Sequence, residues 1–353
     1  MLLSDICEII MGQSPSSDSY NVKGQGLPFF QGNADFGKLY PSVRLWCNCP
    51  IKKAEAGDLL VSVRAPIGAV NLANQKCCIG RGLAALRPYR DKCDAMYLYY
   101  LIKAGKNKLN WLGTGSTFKA ITRSSLLSFN VPDYCIAFQR KISGKLWSVD
   151  KLIHQRNEQL KLFDLLIQSR FLEMFGDIEL NSQNMQKMMW QEVFDTQTGK
   201  LDANAAVKGG RYPFFTCAKE ISTIDEYAYD CEALLLAGNN AVGDYDVKYY
   251  KGKFNAYQRT YILMLKNRQY SYSVFKFQLE QKLRYLQLQS KGTNTRYLTM
   301  GILKSLDFIV PPIVKQQEFA QFVNATDKSK MAVQKGLDEL EILKKSLMQT
   351  YFG

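Results

Sequence analysis

Lys248, Lys251, Lys253 and Arg259 alternate with Tyr249, Tyr250, Phe254 and Tyr257 in the stretch KYYKGKFNAYQR, residues 248–259. Cations spaced among rings suit a nucleic-acid strand: phosphates take the charge and bases offer flat faces for stacking. Just upstream stand Asn239 and Asn240. An amide can meet adenine with two hydrogen bonds, and an arginine can do the same for guanine, provided a groove edge is within reach. Loop residues of the same types are Gln31, Asn33, Arg64, Arg81 and Lys119 in the first half, and Lys219, Lys291, Asn294 and Arg296 in the second. A plainer reading stays open. Residues 225–232, DEYAYDCE, are acidic, and an exposed antiparallel strand pair with solvated lysines gives the same pattern. Any one of these loop residues taken alone reads as solvated.

Catalytic chemistry has little to work with. The single histidine, His154, falls on a heptad-patterned helix. There is no G-x4-G-K-[ST] phosphate loop and no H-E-x-x-H metal motif. Gly113-Thr114-Gly115-Ser116-Thr117 is glycine-rich but lacks the Lys-Ser/Thr continuation, and the carboxylates are scattered. A non-enzyme is expected, since a site needs convergent titratable groups. Cys47-x-Cys49 and Cys77-Cys78 do not have the spacing of a zinc site, so free thiols are expected and no metal.

Composition agrees with a polyanion as partner. The 353 residues carry 46 basic and 32 acidic side chains, a net charge of +14, and 46% are hydrophobic. That excludes global disorder and allows two or three domains. The surplus is +7 over residues 1–136 but only +1 over the last 43, so the ends of the chain differ in charge. No apolar run approaches the roughly 18 residues of a membrane span. The start, MLLSDICEII, carries Asp5 and Glu8 and does not read as a secretory signal. Nine cysteines, an odd number, fit a reducing compartment.

The elements that must position these residues occur twice. LGTGSTFKAITRSSLLSFNVP, ending at Pro132, matches KGTNTRYLTMGILKSLDFIVP, ending at Pro311, when Gly113 is set on Gly292. Further on, with the offset shortened by two residues, Asp150-Lys151 matches Asp327-Lys328, Leu165-Leu166 matches Ile342-Leu343, and Phe175-Gly176 matches Phe352-Gly353. Pro28-Phe29-Phe30 matches Pro213-Phe214-Phe215. Each copy holds a mixed segment, residues 1–136 and 177–310, followed by a long helix, residues 137–176 and 311–353. Short apolar runs at 57–63, 76–80, 83–88, 233–238 and 260–266 predict strands, and 96–109 and 273–287 predict helices.

The long helices carry a seam. Ile142, Leu146, Val149, Ile153, Leu160, Phe163 and Ile167 follow a 4-3 alternation, as do Phe319, Val323, Val333, Leu337, Leu340 and Leu347 with polar interruptions. A period near 3.5 asks for a helix as partner. The two are therefore expected to pack on each other, antiparallel, rather than only on their own globular segments.

Two unlike globular segments, two like helices and no catalytic motif together resemble the specificity (S) subunit of Type I restriction–modification systems. The likeness rests on Gly12-Gln-Ser-Pro, PFFQGN at 28–33, GDLLVSVRAPIG at 57–68, GTGSTFKAIT at 113–122, the helix starts running from Pro132 to Gln139 and from Pro311 to Gln317, and the two Phe-Gly ends. The resemblance implies an α+β protein with a pseudo-twofold internal repeat: two target-recognition domains separated by two antiparallel coiled-coil helices. It implies an asymmetric bipartite target in double-stranded DNA, with helix length setting the gap between half-sites. It further implies two methyltransferase (modification) subunits as partners, and restriction subunits through them, in a bacterial or archaeal cytoplasm, with no membrane. S-adenosylmethionine, ATP and Mg are then expected in those partners and not in this chain. The second copy departs from the first, with CEALLLAGNNAVG at 231–243 against GDLLVSVRAPIG, so the two domains are expected to read different sequences. The competing function is a protein–protein adaptor that reads no DNA.

Overall fold

The computed structural model describes residues 1–113 and 119–353; the central part of the GTGSTFKAIT motif lies outside them. The chain forms two compact units, residues 1–158 with 334–353, and residues 159–333.

The first unit is built on β1 (Cys7–Met11), β2 (Leu27–Phe30), β3 (Leu59–Ser62), β4 (Val70–Leu72), β5 (Cys77–Ile79) and β6 (Leu83–Pro88). Four of them make an antiparallel sheet in the order β1-β6-β3-β4. A second sheet contains β2 and β5 as a parallel pair. Strand β3 opens on the apolar run Leu59-Leu60-Val61 because both its faces are covered. Leu59 and Val61 pack into one core cluster, with Tyr97, Leu98 and Ile142, while Leu60 faces another around Phe30 and Ile79. The helix expected at 96–109 is two helices, α1 (Ala95–Ala104) and α2 (Lys106–Leu112). Asp94 caps α1 by accepting the N–H of Tyr97 at 2.9 Å. Gly105 ends it: a Cβ there would stand 2.6 Å from the Phe129 ring.

Helix α3 (Ile136–Phe175) runs 40 residues. Its first part completes the core of the first unit, where Ile142 and Leu146 are fully buried. The second unit repeats the plan with β7 (Phe194–Thr198), β8 (Tyr212–Phe215), β9 (Tyr229–Ala237), β10 (Val247–Ala256) and β11 (Thr260–Leu265). Leu234 and Leu236 face one cluster and Leu235 the opposite one, as in β3. Strand β10 pairs antiparallel with β9 and parallel with β8. It thus performs alone what β4 and β5 divide between them, and the sheet of the second unit is continuous over six strands. The helix expected at 273–287 also breaks in two, into α4 (Tyr272–Gln281) and α5 (Leu283–Gln289). The last element is α6 (Ile313–Phe352), again 40 residues.

Inside each unit α3 and α6 meet antiparallel. In the first, Lys344 Nζ is 2.5 Å from Asp150 Oδ1, and the Phe138 and Tyr351 rings pack edge-on at 6.2 Å. In the second, Lys330 Nζ is 2.5 Å from Asp164, Arg170 is 2.6 Å from Glu318, and Phe171 meets Phe319 with ring centroids 5.3 Å apart. The seam residues are buried or half-buried throughout. The helices also pack on their own globular parts, so both expected modes of packing occur. Among the described residues no helix is long and apolar enough to cross a membrane.

Candidate nucleic-acid interface

The site of the first unit is made by backbone before side chains. The N–H of Val63, just after β3, donates to Gly82 O at 3.0 Å, and the N–H of Ile121 donates to Val63 O at 2.8 Å. Arg64 pairs across to Ala120, next to Lys119. Gly80 N–H donates to Phe30 O at 2.8 Å, closing the turn that carries Arg81 onto the end of β2 and Gln31. Gly82 has to be glycine: a Cβ would lie 2.3 Å from Gln31 O. Gln31, Arg64 and Arg81 consequently line one cleft of about 520 Å³, together with Ser14, Ser17 and Tyr20. All three long side chains are exposed, and neither guanidinium is ion-paired among the described residues. Lys119 is exposed beside Ala120, and Asn33 is half-buried at the start of a short 3-10 turn.

The second unit repeats this frame with other side chains. Gly238 N–H donates to Arg259 O, and Leu298 N–H donates to Gly238 O, both at 2.8 Å. Tyr257 N–H donates to Phe215 O at 2.9 Å. The matched hydrogen bonds set Asn239 where the first unit has Arg64, Gln258 where it has Arg81, Thr216 where it has Gln31 and Arg296 where it has Lys119. Asn239 and Asn240 form a two-residue ladder with Tyr297 and Arg296.

Several of these side chains already have partners. Asn240 Oδ1 accepts the N–H groups of Val242 at 3.0 Å and Asp244 at 3.2 Å. Arg296 donates to Gln287 O at 3.0 Å, and Thr216 Oγ1 accepts the N–H of Ala218 at 3.2 Å. Lys219 is 2.6 Å from Asp244. Arg259 is exposed and has no ion pair among the described residues, Tyr257 is half-buried, and Lys291 and Asn294 sit on the exposed loop ahead of Arg296.

The cation-and-ring stretch has a different setting from the cleft. Lys251 and Lys253 lie on β10 opposite Glu232 and Asp230 of β9. Lys251 is 3.1 Å from Glu232, Lys253 stacks over Tyr227 at 4.6 Å, and Lys248 is ion-paired with Asp246. Tyr249 donates to Glu232 Oε1 at 2.8 Å, and burial together with this carboxylate pushes its phenol up. Much of the charge of this strand is therefore met within the sheet. Ser14, Ser17 and Tyr20 join the cleft without being sequence candidates; the signal for Ser14 is its place inside the Gly-Gln-Ser-Pro motif.

A family model described as the Type I restriction modification DNA specificity domain matches residues 1–162 and again residues 182–341. The putative type I restriction enzyme MjaX specificity subunit of Methanocaldococcus jannaschii is 44% identical over 152 residues, which is 43% of this chain and 36% of that protein. The type I restriction enzyme EcoDI specificity subunit of Escherichia coli is 38% identical over 132 residues, 37% of this chain and 28% of that protein. The chain thus spans well under two thirds of the length of either relative. The crystal structure of the S subunit of a Type-I restriction-modification system from M. genitalium matches with a TM-score of 0.70, over 100% of this chain and 95% of that one, at 15% identity. At that identity the match speaks for the fold.

Proposed function

The chain belongs to the Type I restriction modification DNA specificity domain family, and from that premise we propose that it is a non-catalytic subunit that reads an asymmetric, bipartite duplex DNA target. The observation that carries this reading is one frame of backbone hydrogen bonds built twice with different side chains, Arg64 and Gln31 on one and Asn239 and Thr216 on the other. A repeated frame gives two reading heads of one kind; unlike side chains give two different half-sites. Guanidiniums without an ion pair among the described residues, in a cleft those residues line with no carboxylate, suit a polyanion.

The same proposal assigns the partners. Leu165-Leu166 and Ile342-Leu343 are matched in the repeat and all four are exposed. Two like apolar steps on two like helices support the docking of two methyltransferase subunits, with restriction subunits joining through them. S-adenosylmethionine, ATP and Mg belong to those partners in this proposal, and the gap between half-sites follows the length of α3 and α6. The test is binding of the assembled complex to a randomised duplex library over a salt series. Selection of a two-part sequence, with affinity falling steeply as salt rises, is expected. The exposed apolar steps equally serve an adaptor that reads no DNA. Charge reversal at Arg64 and Arg81 separates the two: an adaptor keeps assembly and function, whereas a DNA reader keeps assembly and loses binding.

A further inference from the structure

We infer that Gln31 is the base-reading residue of the first cleft, contacting adenine, and that Arg64 and Arg81 on either side of it hold phosphates; the inference rests on the DNA-reading function proposed above.

Base recognition needs a donor–acceptor pair held to a fraction of an ångström, whereas a phosphate needs charge within reach. Gln31 has the first kind of support. Its N–H donates to Asp35 Oδ2 at 2.8 Å, and that carboxylate is 5% exposed. Asp35 is in turn gripped by Arg44, whose Nε donates to Oδ1 at 2.9 Å. On its other side the Gln31 backbone is pressed against two glycines. A Cβ at Gly80 would be 3.2 Å from Gln31 Cα, and one at Gly82 would be 2.3 Å from Gln31 O. The backbone is thus fixed from both directions while the amide stays exposed and no protein hydrogen bond occupies it among the described residues. An amide in that position offers one donor and one acceptor side by side, the pattern that matches adenine N7 and N6.

Arg64 and Arg81 differ in kind. No carboxylate orients either guanidinium among the described residues, so each brings charge without a fixed fork geometry. That is enough for phosphate and poor for discriminating bases. The equivalent position in the second unit confirms that the frame does not itself demand an amide. Thr216 stands there with its hydroxyl turned to its own backbone, accepting from Ala218 N–H.

The experiment compares wild type, Gln31→Ala, Gln31→Glu, Arg64→Gln and Arg81→Gln, each as full chain assembled with methyltransferase subunits. The readout is selection from a randomised duplex library at several salt concentrations. Gln31→Ala is expected to lose preference at one base pair of one half-site by about 5- to 100-fold, leaving the other half-site intact. Gln31→Glu, an acceptor only, is expected to move that preference toward cytosine. Arg64→Gln and Arg81→Gln are expected to weaken all sequences alike and to lower the salt slope by about one each. A Gln31→Ala or Gln31→Glu complex that assembles and selects the wild-type sequence overturns the inference alone. Arginine variants that change base preference while the Gln31 variants do not also overturn it. A wild-type complex with no sequence preference overturns the DNA-reading function, and this inference with it.

Discussion

The side-chain carbonyl of Gln139 accepts the backbone N–H of Asp94 at 3.0 Å, so the start of α3 holds the start of α1. The Gln139 amide also donates to Lys92 O at 2.9 Å and Tyr134 O at 2.8 Å, and the residue is 1% exposed. The second unit repeats the clamp: Gln316 Oε1 accepts the N–H of Ser271 at 2.9 Å, ahead of α4. Gln139→Ala leaves buried backbone groups without partners. It is expected to destabilise the chain by about 2–3 kcal/mol, read by urea unfolding. Gln316→Ala should act alike and Gln317→Ala, at an exposed position, should not. Equal, small effects at all three would contradict the clamp.

Arg87 meets Asp58 as a fork, with Nε 3.1 Å from Oδ1 and Nη2 2.8 Å from Oδ2. The Asp58 side chain is 3% exposed and also accepts the N–H of Glu55. Arg87→Ala strands a buried carboxylate and is expected to cost about 3 kcal/mol. The double variant with Asp58→Asn should recover part of that loss in a thermodynamic cycle. Strict additivity would refute the coupling.

Asp307 provides a pH signature. Burial alone would raise its carboxyl, but Lys187 at 2.9 Å and Lys282 at 3.3 Å more than offset this and hold it below the ordinary value. A carboxyl lowered in the folded state stabilises fully above its unfolded pKa of about 3.9, and the contribution fades as pH falls through the folded value. Denaturation midpoints of wild type and Asp307→Asn should differ at neutral pH and converge in acid. A gap independent of pH would rule this out.

Thiol reactivity should divide by environment. Burial pushes the Cys77, Cys78 and Cys93 thiols up to about 12, while Cys49 and Cys135 are exposed. Because the thiolate is the reactive form, alkylation of the native chain near pH 8 is expected at Cys49 and Cys135 first. Mass spectrometry should find the other three labelled only after unfolding; early labelling of Cys77 would oppose the packing described.

The long helices and the buried strands were legible because each follows one simple period. A 4-3 spacing marks Ile142, Leu146 and Val149, and a strand buried on both faces shows an apolar run such as Leu59-Leu60-Val61. Pairings made at long range left no such trace. The pairing of Lys251 with Glu232 across from it on β9 leaves no mark in the sequence. The helix starts were aligned on Gln139 and Gln317, but burial selects Gln316. The correspondence of Arg64 with Asn239 was hidden too, because hydrogen bonds between main-chain groups create it and side-chain identity does not.

That main-chain origin bears on how such a protein can change. The frame in each unit is tied by amide and carbonyl groups common to nearly every residue type, and the glycines that permit the close approach carry no recognition of their own. Under the proposed function, substitution at Gln31 or Asn239 therefore alters what is read while leaving the architecture in place. New preferences are then accessible by single codon changes, one half of the target at a time.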